Sequence, residues 1–481
     1  MRFITLTLLA TAAWLLSAAP VRADLLIYRV GKLGMALQGK VYVNPGQTVT
    51  LVHPKFGQLH FSLESVQIHT APTTTQQYQK KMARAENARD TTAMFESAVW
   101  ALKHGLTDQY FDAINRILAI DPQNVEAQRV LDLKKQMDEP IVSSSEQEKE
   151  LRELVRKGGM KVALSKHFIL LHDTPDKPGE GRKQNRSEER LELLETVYES
   201  FLLLFYSRGV ELEIPKERMK VVLFNNYDDY YQFSTARSPS LASAAGFWEP
   251  AINTSVFYDH GTDERFKSLQ ELSGVFEKQA TEAVRMKAKG LGEFIRFSKT
   301  LKVLVQIAQE NEDITVVSHE ATHQMAGNTG LFPRHVLVPS WVHEGLATYF
   351  EAPGDAVWAG IGAVNEDRLA WYRGLEDDRE HSNIDFIVSD KIFSLAGSHA
   401  GKIHAYGQAW ALTHYLLEND FEKFITYYRT LGELPPNVIF GPEVLEQVFT
   451  RVFGEDRTAL DANWRSYMRG LKTDMEVILK E

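Results

Sequence analysis

The chain has 481 residues, 44% of them apolar and 25% charged, which fits a globular protein with one large domain and one or two smaller ones. Net charge is −10, from 54 basic and 64 acidic residues, so the bulk field repels nucleic acid and anionic lipid and argues against nucleic acid as a partner. There is no cysteine; disulfides, thiolate chemistry and lipid anchoring through a cysteine are excluded, and any metal must sit on His, Asp or Glu.

The first segment, MRFITLTLLATAAWLLSAAPVRA, has an early Arg2, an apolar run from Phe3 to Leu16 and small residues ending at Val21-Arg22-Ala23. It reads as a cleaved signal peptide over 1–23, which would export the protein to the periplasm or the exterior. The alternative is an uncleaved N-terminal membrane anchor, since Phe3 to Ala19 nearly suffices to span if tilted. From Leu25 to His69 short β-branched and aromatic runs (LIYRVG, KVYVN, TVTLVH, QLHFSL, VQIH) alternate with turn chemistry at Asn44-Pro45-Gly46 and Pro54-Lys55-Phe56-Gly57, predicting a small β-barrel or curled sheet over 24–72. Residues 73–140 change to helical period. Within them 100–131 resembles a unit and a half of a tetratricopeptide array, with Asp121-Pro122 opening the next helix; an ordinary helical hairpin fits as well. A polar linker follows over 141–160, containing SSSEQEKE.

The remainder, 161–481, reads as an α+β domain, a mixed sheet followed by helices. HFILLH (167–172) and MKVVLF (219–224) are buried-strand candidates flanking a helix over Glu188–Tyr206, and AAGFWEP (244–250) and TSVFYD (254–259) read as two strands joined by a short turn. A charged helical stretch covers about 264–310. Asp313 is expected to cap a new helix holding Ser318-His319-Glu320-Ala321-Thr322-His323.

That hexapeptide contains HExxH. On a helix, positions four apart lie about 40° from each other, so His319 and His323 project from one face and can reach a single ion, while Glu320 stands beside it. The geometry suits zinc carrying a water that a glutamate can deprotonate for attack on a carbonyl, by default that of a peptide bond. The bare motif also occurs by chance, and a third ligand decides it. A metzincin would carry glycine at 326 and histidine at 329; Ala326 and Thr329 stand there instead. Among the downstream candidates, His335 in LFPRHVLVP reads as a surface histidine. Glu344 opens the helical EGLATYFE, where Gly345 and Ala347 would let its helix approach the histidine helix.

HEATH followed by WVHEGLATYFE resembles the gluzincin metallopeptidases, in which a glutamate of an EGxA motif follows HExxH by about twenty residues. Over roughly 161–420 the nearer resemblance is to secreted or envelope bacterial peptidase-like proteins of uncharacterised activity. The resemblance implies a gluzincin-like fold, zinc on His319, His323 and Glu344, Glu320 as general base, and a peptide or protein substrate. HAYGQAWALTHYLLE (404–418) resembles a helix of the gluzincin aminopeptidases that begins with a tyrosine steadying the oxyanion, which implies that role for Tyr406; Gln408-Ala409 depart from the usual lysine-glycine, and a packing tyrosine is the other reading. His343 stands where those enzymes carry asparagine and reads as a neighbour of the site or an exposed residue rather than a fourth ligand. Glu351 reads as a solvated carboxylate, and Glu249 as a turn glutamate. The strand pair 244–259 could pair with a substrate backbone or be a plain hairpin. The competing functional reading is an envelope binding or assembly protein, with a structural or vestigial zinc site and partner contacts through the N-terminal β and helical modules.

Overall fold

The computed structural model describes residues 22–479 apart from 32, 143, 180, 181, 288, 352 and 355. Of the segment read as a signal peptide, residues 1–21 lie outside them. The chain divides into two compact units, 1–73 and 74–481.

In the first unit, β1 (Arg22–Val30), β2 (Leu33–Asn44), β3 (Thr48–His53), β4 (Gly57–Ser62) and β5 (Val66–Pro72) form an antiparallel sheet in the order β4-β3-β2-β1-β5. Both predicted turns separate strands, and the first holds Gly46 at φ 87°, a backbone that Gly adopts readily, with Gln47 following at φ 58°. Leu26, Tyr28, Leu37, Val49, Leu51 and Phe61 are buried. Among the described residues no ladder joins β4 to β5, so the sheet is open at those two strands.

The second unit opens with α1 (Thr74–Asn87), α2 (Thr91–Lys103), α3 (Thr107–Ile120) and α4 (Val125–Asp138). Asp90 and Asn124 cap α2 and α4 through their side chains, so α4 starts three residues beyond Pro122. These helices are not a detached array. Tyr78, Ala98, Ile114 and Val130 belong to one hydrophobic core with Leu194, Tyr349 and Trp410. The stretch read as a linker carries α5 (Ser145–Val155), capped by Ser144.

Next come β6 (Lys161–Leu164), β7 (Phe168–His172), α6 (Arg186–Ser207), β8 (Met219–Phe224), α7 (Tyr227–Arg237), β9 (Phe247–Glu249) and β10 (Thr254–Tyr258). Their sheet runs β6-β7-β8-β10-β9; β7, β8 and β10 are parallel, and β6 and β9 close the ends antiparallel. Strands β7 and β10 are buried at every position, as expected of parallel strands covered on both faces. Asn185 and Glu188 form a capping box that starts α6 close to where the sequence predicts it.

Helix α8 covers Glu264–Arg285, and α9 runs without interruption from Gly292 to Asn328. The expectation that Asp313 caps a new helix is therefore corrected: it lies inside α9, 4% exposed. A carboxylate at such a place needs partners. Arg190 Nη2 donates to it at 2.8 Å, Arg186 binds its other oxygen, and His260 Nδ1 lies 2.6 Å away. Burial would raise the pKa of Asp313, but the two guanidinium groups outweigh it and hold the carboxyl well below its usual range.

The chain continues through α10 (Ser340–Phe350), the two-residue strands β11 (Pro353–Gly354) and β12 (Val357–Trp358), then α11 (Glu366–Leu375), α12 (Ile384–Val388) and α13 (Lys391–Ser394). It ends in α14 (His399–Asn419), α15 (Phe421–Gly432), α16 (Pro442–Phe453), α17 (Thr458–Gly470) and α18 (Asp474–Ile478). The whole is α+β, 59% helical and 14% strand. Among the described residues no helix is long and apolar enough to cross a membrane.

One buried histidine of α14 ties stability to pH. His414 is 3% exposed; its Nε2 faces the Gly362 carbonyl at 3.1 Å and its Nδ1 the Tyr467 hydroxyl at 3.0 Å, partners that suit a neutral ring donating from Nε2. Burial pushes its pKa down to about 4. The unfolded chain takes up this proton near pH 6.5 and the folded chain resists it to about 4. The stabilisation is therefore complete above pH 6.5 and is lost as pH falls through that window, by roughly 3 kcal/mol for the full shift. Chemical unfolding of His414→Gln is expected to show a shallower loss of stability between pH 6.5 and 4 than wild type; parallel curves would contradict this.

Candidate metal centre

The C-terminal half of α9 faces the sheet. Gln324 fastens it there: its Oε1 accepts from Ser255 Oγ at 3.1 Å and its Nε2 donates to the Lys220 carbonyl at 3.1 Å. That anchor fixes the rotation of the turn carrying His319, Glu320 and His323. Helix α10 has no side-chain cap of its own at Pro339. The carboxylate of Asp390 supplies one, accepting from Ser340 N at 2.9 Å and Trp341 N at 3.0 Å. Gly345 lets α10 press against α14, where an added Cβ would lie 2.1 Å from Thr413 Oγ1 and 2.9 Å from the Ala409 carbonyl. The close approach that Gly345 permits is thus to α14, not to the histidine helix as expected.

Between these helices three donor atoms meet. His319 Nε2 lies 3.1 Å from His323 Nε2 and 3.0 Å from Glu344 Oε2, and His323 Nε2 lies 3.7 Å from the same oxygen. Among the described residues these three form the group able to hold a metal ion. Tetrahedral zinc with bonds of about 2.0–2.1 Å needs donors about 3.3 Å apart; the set fits. The three donors also interact strongly with one another and with their neighbours. Burial opposes a charged His319, yet Glu344 and Glu351 outweigh it and lift its pKa to about 10, while burial and the neighbouring His343 push His323 down to about 3. Burial would raise Glu344, but hydrogen bonds from His319, His323 and His343 keep it well below the carboxylate range. The Glu344 side chain remains 20% exposed, so the group opens to solvent on one side.

Glu320 stands next to the cluster without joining it. Its Oε2 accepts from the Trp248 backbone N–H at 2.8 Å, and burial pushes its pKa up to about 7. Tyr406 approaches from α14, its ring centroid 6.3 Å from that of His319. It sits seven residues inside its helix rather than at the start. Burial, then the charges of Glu344 and Glu320, raise its pKa, so the hydroxyl keeps its proton.

His343 stacks on His323, centroids 3.7 Å apart and planes 6° from parallel. Imidazole lone pairs lie in the ring plane, so an ion in the plane of His323 lies outside that of His343. His335 is exposed on its loop, apart from the cluster. Glu249 ends β9 and is gripped by Arg237, whose Nη2 donates to Oε1 at 2.6 Å.

The reading of Glu351 as solvated is overturned. It is 1% exposed, and its Oε1 accepts from His319 Nδ1 at 2.7 Å. A carboxylate behind a ligand imidazole fixes ring and tautomer, leaving Nε2 free for a metal. Two turns along α10 from Glu344, it points back to the same face; its partner Arg368 lies on α11, and no local pattern joins them.

Residues 313–437 match the family described as a protein of unknown function (DUF1570). The match spans the cluster, the C-terminal part of α9 that carries its histidines, all of α10, and Tyr406. No curated protein and no solved structure matches the chain.

Proposed function

We propose that the protein is an exported zinc-dependent metallopeptidase of gluzincin type, hydrolysing peptide bonds with metal-activated water. The observation that carries this reading is the convergence of His319 Nε2, His323 Nε2 and Glu344 Oε2 within 4.8 Å of one another, beside a glutamate that does not join them. Zinc held by these three would supply a water acidic enough to ionise near neutral pH and a Lewis acid for the scissile carbonyl. Glu320, buried and steadied by the Trp248 N–H, takes the proton of the attacking water and returns it to the departing amine. The Tyr406 hydroxyl donates a hydrogen bond to the carbonyl oxygen as charge develops on it. Strand β9 pairs on one side with β10, and its other edge, beside Glu320, offers backbone groups to an extended substrate.

A closed structural site needs a fourth protein ligand. His343, the nearest candidate, presents its ring face to His323, and this favours the catalytic reading over an assembly protein with a structural ion. The deciding experiment is metal analysis of the purified protein beside its His319→Ala variant. One zinc per chain in the first and none in the second is expected; equal content in both, or none in the wild type, overturns the proposal.

A further inference from the structure

Arg368 lies on α11, outside both motif helices, yet it touches two parts of the site at once. Its Nε donates to Glu351 Oε2 and its Nη2 to Glu351 Oε1, each at 2.8 Å. This bidentate grip fixes both oxygens of a carboxylate, in position and in plane. Asn365 Nδ2, at 3.5 Å from Oε2, adds little. The gripped carboxylate is the one that receives His319 Nδ1. The Cζ of the same guanidinium lies over the Tyr406 ring, 5.3 Å from its centroid, and over Trp371 at 4.5 Å. Phe393 meets Tyr406 edge-on at 5.4 Å. One planar cation therefore holds a ligand imidazole through Glu351 and also packs over the ring of Tyr406.

We infer that Arg368 is a positioning residue that sets the metal ligand His319 and the oxyanion donor Tyr406 together, so that metal affinity and turnover depend on one side chain. The inference rests on the metallopeptidase reading. Without the two parallel bonds, Glu351 can rotate and the His319 ring loses its fixed orientation; without the flat cation, Tyr406 loses one wall of its slot. Lysine cannot replace it, since a point charge offers neither the paired bonds nor the stacking face.

The test measures zinc affinity by competition with a chromogenic chelator, and steady-state kinetics on a peptide substrate, for wild type, Arg368→Gln, Arg368→Lys, Tyr406→Phe and the Arg368→Gln/Tyr406→Phe double variant. Arg368→Gln is expected to weaken zinc binding by about 10–100-fold, the range typical of lost support behind a ligand. At saturating zinc it is expected to lower kcat with KM nearly unchanged, because the tyrosine contact strengthens in the transition state. The kcat losses of Arg368→Gln and Tyr406→Phe are expected to combine to less than their product, and Arg368→Lys to restore neither property. A residue that only stabilised the fold would lower Tm and leave zinc affinity and kcat of the folded protein alone; that outcome overturns the inference. If the glutamine variant fails to fold, Arg368→Lys is read in the same assays, and wild-type values there are equally fatal. A wild-type chain that takes up no zinc defeats the metallopeptidase reading itself, and this inference with it.

Discussion

A Glu320→Gln variant is expected to keep its zinc and its fold while peptide hydrolysis falls by roughly 10²–10⁴-fold, the range general-base catalysis contributes. The amide is close to isosteric, and its carbonyl oxygen can still accept the Trp248 N–H that Glu320 Oε2 accepts at 2.8 Å, so local geometry has little reason to change. Burial disfavours the charged carboxylate there, so replacing it with a neutral group costs no stability. Zinc content and the unfolding midpoint then serve as controls inside the same experiment. Undiminished hydrolysis in a zinc-loaded variant would remove Glu320 from the mechanism.

The largest stability effect is expected at Gly345→Ala, a change of one methyl group. The new Cβ would sit 2.1 Å from Thr413 Oγ1 and 2.9 Å from the Ala409 backbone carbonyl. The threonine can turn, but a helix backbone cannot yield without moving α14 away from α10. Overpacking of this kind costs about 1–3 kcal/mol and sometimes more. Here it also parts Glu344 on α10 from Tyr406 on α14, so peptide hydrolysis is expected to weaken with stability. Thr413 Oγ1 is buried without a hydrogen-bond partner, so Thr413→Ala leaves nothing newly unpaired and, combined with Gly345→Ala, is expected to recover part of the loss. Urea midpoints of the three variants check this, and a Gly345→Ala protein within 0.5 kcal/mol of wild type would contradict it.

What could be read from the sequence is what local chemistry determines. Four-residue spacing puts His319 and His323 on one face of a helix, and the apolar runs of β7, β8 and β10 mark buried strands whatever surrounds them. The failures share one cause: a partner distant in sequence changed the meaning of a residue. Asp313 has the profile of a helix cap until Arg186 and Arg190, on α6, neutralise it inside α9. Glu351 has the profile of a solvent-facing carboxylate until Arg368 and His319 enclose it. Asp390, which caps α10 across fifty residues, left no trace that a reading of α10 alone could detect. The polar stretch that reads as a linker does form a helix, but one whose buried Gln147 donates to the Arg218 carbonyl, a partner again invisible locally.

The shared core of α1–α4 with the helices around the cluster has a practical meaning for anyone dissecting this chain. Lys103 at the end of α2 is paired with Glu418 of α14, and Glu418 also accepts from the Tyr349 hydroxyl at 2.6 Å, five residues along α10 from Glu344. A fragment trimmed to begin at 161 would expose apolar faces that α1–α4 cover and would strand Glu418 without its lysine. The smallest piece that keeps its interior whole begins at 74, so the first four helices belong to the same body as the candidate metal centre.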